Sequence, residues 1–584
     1  MKSKRAQTLQ QIHCLLGSVG EAPPDTAADA AIYSREQDIY KSCLLRLCPA
    51  EKWCKGDYAA GCPRPILVAK HHQEQLELFH GALTAAIGDI VQRWWSDPAA
   101  RFPQRMPIPK EEEELLQWIE TQVPHNIPEF QHCLGSWRPD FVVGDVPQGG
   151  LYPSGEIFCL TEINARFIFN GFLHEGYGRQ AFERLGVEER GFRCETSSSK
   201  IFDGLCSLFN PDRPLHLLKG KETGIDIHMF VDFVERHFGL SPRIIAPENL
   251  RLVPDNEAPL GYKLCCLAPS WSSSSSPPPS TSAVAPTPAL FSYGGEIVEE
   301  IERVGLELHQ DELFSLPWDV LRAVALRCFN DLRTVLLVHD KRMLGLVRDE
   351  LDSLVARSVL SEAQADVLRH GIPETLLPGS SAIRELLRIC ADEAPDLRCE
   401  YLLKPIRGGK GAGIMFGDEL SASEWIAHLQ RLRNAAEPAP GRPTWVVQRL
   451  VKQRSYDVVF GSPAKSSRRP LIGTYHVVNG GFSQPLRIDL KRPMTGMVGC
   501  DGHMMITSAG WPGPHVLATQ IRHPPDGGRG PLHASQQPGC ETLKRFSSVY
   551  PDMRIGKNAA DSTDWGSDYE CQGQPVDAAV WGAL

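Results

Sequence analysis

The sequence predicts a mixed α+β (α/β) protein in which antiparallel hairpins are prominent. Three stretches carry that reading. Residues 76–95, LELFHGALTAAIGDIVQRWW, repeat apolar side chains at helical spacing. RPDFVVGD and GEIFCLTEINARF alternate like two strands around a Gly/Pro-rich turn. YLLKPIRGGKGAGIMFG reads as strand, glycine-rich loop, strand. The chain has 584 residues and a mass of 64.7 kDa, enough for three or four domain-sized units or one large enzyme with insertions.

The remaining elements follow in order. IHMFVDFVERHFG, from residue 227, predicts a strand and then a helix. PRIIAPENLRL predicts another strand and a turn. Ile297, Ile301 and Val304 fall at i, i+4 and i+7, which predicts a helix at the start of the second half. LRTVLLVHDK is an apolar run of strand length ending in charge. TWVVQRLVKQRSYDVVFG predicts two short strands.

Low-complexity stretches divide the chain. Residues 1–30 are polar and Ala-rich and predict a frayed arm, followed by a structured block over 31–268. PSWSSSSSPPPSTSAVAPTPA, residues 269–289, buries too little apolar area to offset its ordering entropy, so it predicts a flexible insertion. A second block spans 290–511, with a short break at 435–444. Residues 512–584 are dominated by Gly, Pro, Asp and Ser and predict a mostly disordered tail.

Composition narrows the function. Hydrophobic residues are 42% and charged residues 23%, which excludes a wholly disordered, collagen-like or coiled-coil chain. The 61 basic against 71 acidic side chains give a net charge of -10, so nucleic acid and anionic membrane are poor partners. No apolar run reaches a spanning length, and the first residues lack a secretory signal's continuous apolar stretch. These features predict a cytoplasmic protein. The 17 cysteines are then free thiols acting as small apolar residues. Cys43, Cys48, Cys54 and Cys62 cluster, but their spacings of 5, 6 and 8 are not those of a paired-CxxC zinc site.

Four segments carry chemistry. In a strand, alternate residues share a face, so Arg138 and Asp140 project together, as do Glu162 and Asn164. If the two strands pair, two carboxylates and one amide oxygen converge, a hard-oxygen set suited to Mg²⁺. The plainer reading is ordinary polar positions on a half-exposed sheet. In Lys404-Pro405-Ile406-Arg407-Gly408-Gly409-Lys410-Gly411-Ala412-Gly413, a strand-end lysine offers a point charge and the glycines let backbone N–H groups approach an anion. A bare glycine hairpin is the alternative, and the segment is not a Walker A loop. Asp340-Lys341 ends the third segment, where a surface lysine is the default. The fourth, residues 445–450, is an apolar strand ending in Gln448, Arg449 and Leu450; it is either a buried strand or an edge offering backbone groups to a nucleotide.

Together the four segments resemble the ATP-grasp superfamily. The metal-type motif precedes the lysines and the glycine loop, an order similar to eukaryotic glutathione synthetases and to fungal glutathione-synthetase-like proteins, some of them in secondary-metabolite pathways. The resemblance covers about residues 130–180 and 325–500. It implies a circularly permuted ATP-grasp fold with an attached substrate-binding α/β region, and ATP and Mg²⁺ as cofactors. On this resemblance Asp140, Glu162 and Asn164 hold Mg²⁺. Lys341 and Lys404 contact the nucleotide phosphates and adenine. Gly408, Gly409, Gly411 and Gly413 cover the phosphates, and Gln448, Arg449 and Leu450 form the adenine hinge. Arg138 lies near substrate and phosphates, Arg487 faces the acyl phosphate, and Lys410 belongs to a closing lid.

The implied activity is an ATP-dependent, ADP-forming carboxylate–amine ligase that makes an amide or peptide bond through an acyl phosphate, in fungal secondary metabolism. Its partners are a small carboxylate and an amine, and a homodimer is consistent with the family. A kinase-like phosphotransferase and a nucleotide-binding scaffold are the other readings. The family's loop carries a glutamate metal ligand where this chain has Gly408, and the residues after Asn164 differ from the family's small-residue run, so glutathione does not transfer as a product. Arg166, two residues beyond Asn164, pairs either with a substrate carboxylate or with a neighbouring acid. His174 and His503 read as structural.

Overall fold

A computed structural model describes residues 8–16, 20–21, 27–133, 135–145, 155–190, 192–193, 198–206, 208, 214–268, 290–409, 411–434, 444–460, 465–478, 495–497, 503–505 and 515–521. All belong to one compact unit, residues 1–522. The Ser/Pro insertion and residues 522–584 lie outside the described residues.

The largest sheet is built around the predicted hairpin. Ser136–Asp145 pairs with Glu156–Asn164 on one side and with Ile472–Val478 on the other, both antiparallel. The sheet continues through His503–Met505, His515–Ile521, Ile66–Leu67, Gln10–His13 and Gly20–Glu21. Two predicted disordered regions therefore contribute strands. Within the predicted arm, Gln10–His13 is a strand whose Ile12 is buried, and within the predicted tail, His515–Ile521 is another.

The helix Lys70–Gln92 covers this sheet. Leu76, Phe79, Leu83, Ala86, Ile87 and Ile90 fall at three- and four-residue steps and are all buried, so the apolar stripe that predicts the helix also packs it. One hydrophobic cluster joins this helix and the hairpin residues Trp137, Phe141 and Val143 to Leu336, Leu344, Val347, Leu368 and Tyr475. The two blocks on either side of the Ser/Pro segment thus share a core.

Two further sheets sit beside the insertion. Val304–Glu307, His216–Lys219 and Arg243–Ile245 form a parallel three-stranded sheet. Leu290–Tyr293, Glu296–Glu300, Tyr262–Leu267 and Leu250–Pro254 form an antiparallel one. The insertion leaves and re-enters this second sheet.

Four-stranded Thr375–Leu376, Trp445–Arg449, Tyr401–Pro405 and Met415–Phe416 make a smaller lobe. Its own core packs Tyr401, Leu403 and Val447 against the helices Ser381–Asp392 and Ala422–Leu432 through Ile383, Leu386, Trp425 and Leu429. Ser380 and Ser421 cap those helices by accepting from Ile383 and Glu424 N–H.

Three predicted elements differ. The helix predicted from Ile297 is a hairpin: Tyr293 faces Glu296 across Gly294 and Gly295, whose φ values of 59° and 84° suit a two-residue turn. LRTVLLVHDK is not a strand; Thr334–Val338 is a π-helical turn leading into the helix Arg342–Ala356. All of Ile227–Phe238 is helical and stops at Gly239, φ 64°.

Candidate functional site

The metal-type hairpin is paired in the register its sequence suggests. Arg138 faces Asn164 and Asp140 faces Glu162. A bulge follows at once, because Phe141 pairs with Leu160 and leaves Thr161 over. Thr161 Oγ1 donates to Asp140 O at 3.1 Å. Arg138 grips Asp140 with two parallel bonds of 3.0 Å and donates to Asn170 O at 3.0 Å. Asn164 Nδ2 donates to Asp140 Oδ2 at 2.9 Å. The start of the strand is fixed by Asn330, whose Oδ1 accepts from Ser136 N at 2.7 Å and whose Nδ2 donates to Ser136 O and Ala165 O.

Both predicted lysines reach this hairpin. Lys341 Nζ lies 3.3 Å from Glu162 Oε2 and donates to Gly408 O at 2.8 Å. Lys404 Nζ donates to Thr161 O at 3.1 Å. Lys404 gets there because Tyr401 and Leu403 face the helices of the small lobe, which turns Lys404 to the opposite face. Gln448 shares that face: it pairs in register with Leu402, two residues along from the Lys404–Val446 pair. It is buried and donates to Thr375 Oγ1 at 3.0 Å.

The charges sort themselves. Burial alone raises the Glu162 carboxyl, but Lys341 and Lys404 override it and bring it down to about 2. Asp140 is pushed up by burial and by Glu162, against the pull of Arg138. Burial holds the Lys404 ammonium down to about 8. The result is one firmly ionised carboxylate, one carboxylate held by an arginine, and two cations in one place. All three predicted metal ligands offer hard oxygen, and the Asn164 amide oxygen takes no part in the bond to Asp140, so the set fits Mg²⁺.

Arg138 lies on the same strand as Asp140 and is bound to it. In the loop after Lys404, Ile406 is buried, while Gly408, Gly409, Gly411, Ala412 and Gly413 are exposed. Gly408, Gly411 and Gly413 have φ of 98°, 72° and 75°, which a side chain disfavours. At Gly408, Gly409 and Gly411 an added Cβ meets nothing within 4 Å. Arg449 and Leu450 are exposed, and their N–H groups already donate to Glu374 O and Glu400 O, both at 2.8 Å. Lys410 and Arg487 lie outside the described residues.

A network that spacing does not reveal supports the loop. Arg407 forks onto Glu112 at 2.7 and 2.6 Å and lies 3.3 Å from Asp340. Asp340 also binds Arg342 through two bonds of 3.0 and 2.8 Å, and Arg342 reaches Pro107 O. Glu112 belongs to an acidic run at the start of the helix Lys110–Gln122, and nothing in that run marks it out. Burial and the nearby Arg166, Lys341 and Arg407 keep His339 neutral beside Ile163 O. Arg166 bonds an amide, Gln310 Oε1 at 3.3 Å, not an acid, and its buried Nε has no hydrogen-bond partner among the described residues. Burial, then Arg407, brings it down to about 10.

His174 is buried and packs edge-on against Trp53, 5.1 Å away, with Asp57 at 3.7 Å. His503 is described in its backbone alone, as a strand residue. Cys43, Cys48 and Cys62 are buried free thiols, and Cys54 is partly exposed. Among the described residues these four form no metal cluster. No described helix is long and apolar enough to cross a membrane.

Comparison with known proteins points the same way. Residues 79–337 match a family described as the AnkG N-terminal domain. The "ATP-grasp enzyme ankG" of Aspergillus thermomutatus is 33% identical over 467 residues, 79% of this chain and 92% of the relative. A glutathione synthetase like-effector (GSS30) from Globodera pallida, solved in apoform, aligns with a TM-score of 0.46 at 10% identity, over 86% of this chain and 100% of that one; a likeness at that level assigns no residue. With an identity of that size across most of both sequences, the chain belongs to the family of ATP-grasp enzymes that includes ankG.

Proposed function

We propose that the chain is an ATP-dependent, ADP-forming ligase that joins a small carboxylate to an amine through an acyl phosphate, on a permuted ATP-grasp fold. The single observation that carries the reading is the meeting of Glu162, Lys341 and Lys404, residues from three separate segments, at one end of the hairpin.

Mg²⁺ held by Asp140, Glu162 and Asn164 would neutralise the phosphates when bound. The rest falls to the chain's own groups. Lys341 and Lys404 bind the transferring phosphate, where negative charge grows. Gln448, on the same face as Lys404, lines the nucleotide side, with Arg449 and Leu450 as its edge. The glycine loop closes over the phosphates, with Lys410 as its cation, and keeps water from the acyl phosphate. Arg407 anchors the near end of that loop through Glu112 and Asp340. Arg166, a half-buried cation with a buried Nε uncommitted among the described residues, holds the substrate carboxylate in this proposal. Arg487 belongs to the same proposal as a contact to the acyl phosphate. Secondary metabolism is the setting that the resemblance brings with it.

The test is ADP release by the purified protein with ATP and Mg²⁺ against pools of acids and amines. Release that needs both an acid and an amine supports ligation. Release with an acid alone, yielding a stable phosphorylated product, indicates a phosphotransferase. No binding of nucleotide rejects the reading.

A further inference from the structure

A second group of ligand-type side chains lies on elements the proposed ligase site does not use. It sits at the seam between the parallel and antiparallel sheets, where the chain passes from Glu296–Glu300 to Val304–Glu307. Cys266 and Glu299 face each other in register across the antiparallel pair. His216 and Arg243 are register partners in the parallel sheet. Ligand atoms of His216, Cys266 and Glu299 all lie within 4.8 Å of one another. All three residues are 0% exposed.

The local partners do not satisfy these groups. His216 Nε2 is 3.4 Å from Glu299 Oε1, and Arg243 pairs with the other carboxylate oxygen. Neither ring nitrogen of His216, Nδ1 nor the Nε2 that faces Glu299, has a hydrogen-bond partner among the described residues. Buried imidazole nitrogens left in this way are destabilising, so a missing partner is expected.

We propose that His216, Cys266 and Glu299 form a structural zinc site that clips the two sheets together. One nitrogen, one sulfur and one oxygen ligand suit this borderline-soft ion better than Mg²⁺ or Ca²⁺. Bond lengths of about 2.0–2.3 Å put tetrahedral ligands roughly 3.3–3.8 Å apart, inside the observed envelope. A thiolate and a carboxylate balance the ion's charge, and Arg243 stays on the second carboxylate oxygen as an outer partner. Zinc binding takes Cys266 as the thiolate, its proton passing to solvent as the zinc–sulfur bond forms. One trapped water completes the fourth position. Because Cys266 lies on the strand before the Ser/Pro insertion and Glu299 on the second strand after it, the ion also ties the sheet together across that insertion.

The test uses the full chain stripped of metal and refilled with Co²⁺ or Zn²⁺. Expected are about one tightly held ion per chain, a sulfur-to-cobalt charge-transfer band, and a thermal midpoint raised by zinc. Cys266→Ser should abolish the band, and His216→Ala should weaken zinc at least tenfold against a chromophoric chelator. If those variants do not fold, X-ray absorption on the wild-type zinc form decides, with one sulfur and the remaining neighbours nitrogen or oxygen expected. A wild-type protein with no band and no zinc-dependent midpoint overturns the proposal. So does a band that survives Cys266→Ser, or a zinc shell with two or more sulfurs.

Discussion

Lys341 Nζ bridges Glu162 Oε2, at 3.3 Å, and Gly408 O, at 2.8 Å. One ammonium thus ties the proposed metal hairpin to the first glycine of the proposed lid. Without nucleotide it neutralises Glu162; with nucleotide, a phosphate and a metal can share those same partners. On the proposed function, the pair couples ligand binding to loop position through one side chain.

Glu162 is the anion of the site. Glu162→Ala removes the proposed direct metal ligand, and turnover should fall roughly 10²- to 10³-fold. Loss of a buried pair also leaves Lys341 without its carboxylate, so the KM for ATP should change along with kcat. Rates of ADP release across a Mg²⁺ titration check this. A nearly wild-type rate at low Mg²⁺ removes Glu162 from the metal set.

Lys404 sets a pH window. Its folded value of about 8 lies below the ordinary 10.5, because burial disfavours the charge. Between these two values the unfolded chain holds a proton that the folded, ligand-free chain has released. Stability of the ligand-free protein should therefore rise with pH across this window, and the ammonium's cost is fully felt below about 8. A phosphate on Nζ restores the proton, so ATP affinity should weaken above pH 8, by up to about tenfold per pH unit. Lys404→Arg should flatten that profile. Calorimetric titrations from neutral to alkaline pH measure it, and a wild-type affinity flat with pH takes Lys404 off the phosphates.

Glu112 and Arg407 form a clamp between the helix Lys110–Gln122 and the loop. Glu112→Ala leaves Arg407 and Arg166 close together without their shared acid, and should destabilise the protein by about 3 kcal/mol. Arg407→Ala alone leaves Glu112 buried and should cost a similar amount. The double variant should be less destabilised than the sum of the two. Denaturant midpoints for the cycle give the coupling; strict additivity shows that the clamp is not a unit.

The hairpin was the most legible part of the sequence, and for a simple reason. Strand alternation places Asp140, Glu162 and Asn164 without any knowledge of distant contacts. Lys341 was legible as a residue but not as a shape. An unbroken apolar run such as TVLLV is equally at home in a buried helix and a buried strand, and tertiary packing makes it a π-helical turn. At Ile297 the opposite error arises. Ile297, Ile301 and Val304 match helical spacing by coincidence, yet Ile297 is 54% exposed while Val298 and Glu299 are buried, and Gly294-Gly295 was the stronger local signal. Glu112 and Asn330 touch partners about 300 and 190 residues away, contacts no local pattern encodes. Their side chains became candidates only once the fold brought them to the loop and the hairpin.

The glycine loop separates backbone need from packing need. Gly408 and Gly411 have positive φ and open space around the Cβ position. Alanine there meets no clash and costs about 1–2 kcal/mol of backbone strain. Gly409 has the same open space but no positive φ, so Gly409→Ala should be nearly silent. Turnover should fall several-fold in Gly408→Ala and Gly411→Ala, with folding stability lowered by no more than that strain, because a strained lid closes less often. Equal effects at all three positions contradict the conformational account.

Arg166 is the prediction most specific to substrate. It is half-buried, bonded to the Gln310 amide, and keeps a buried Nε without a partner among the described residues. A carboxylate docked there gains a charge-assisted bond worth about 2–3 kcal/mol. Arg166→Gln should raise the KM for the acid by roughly 30- to 100-fold, while the KM for ATP changes little. Arg166→Lys should recover part of the loss, because it returns the charge without the planar fork. Initial rates at saturating ATP, with the acid varied, distinguish this from a structural role. A structural Arg166 would lower kcat and stability together and leave the acid's KM where it was.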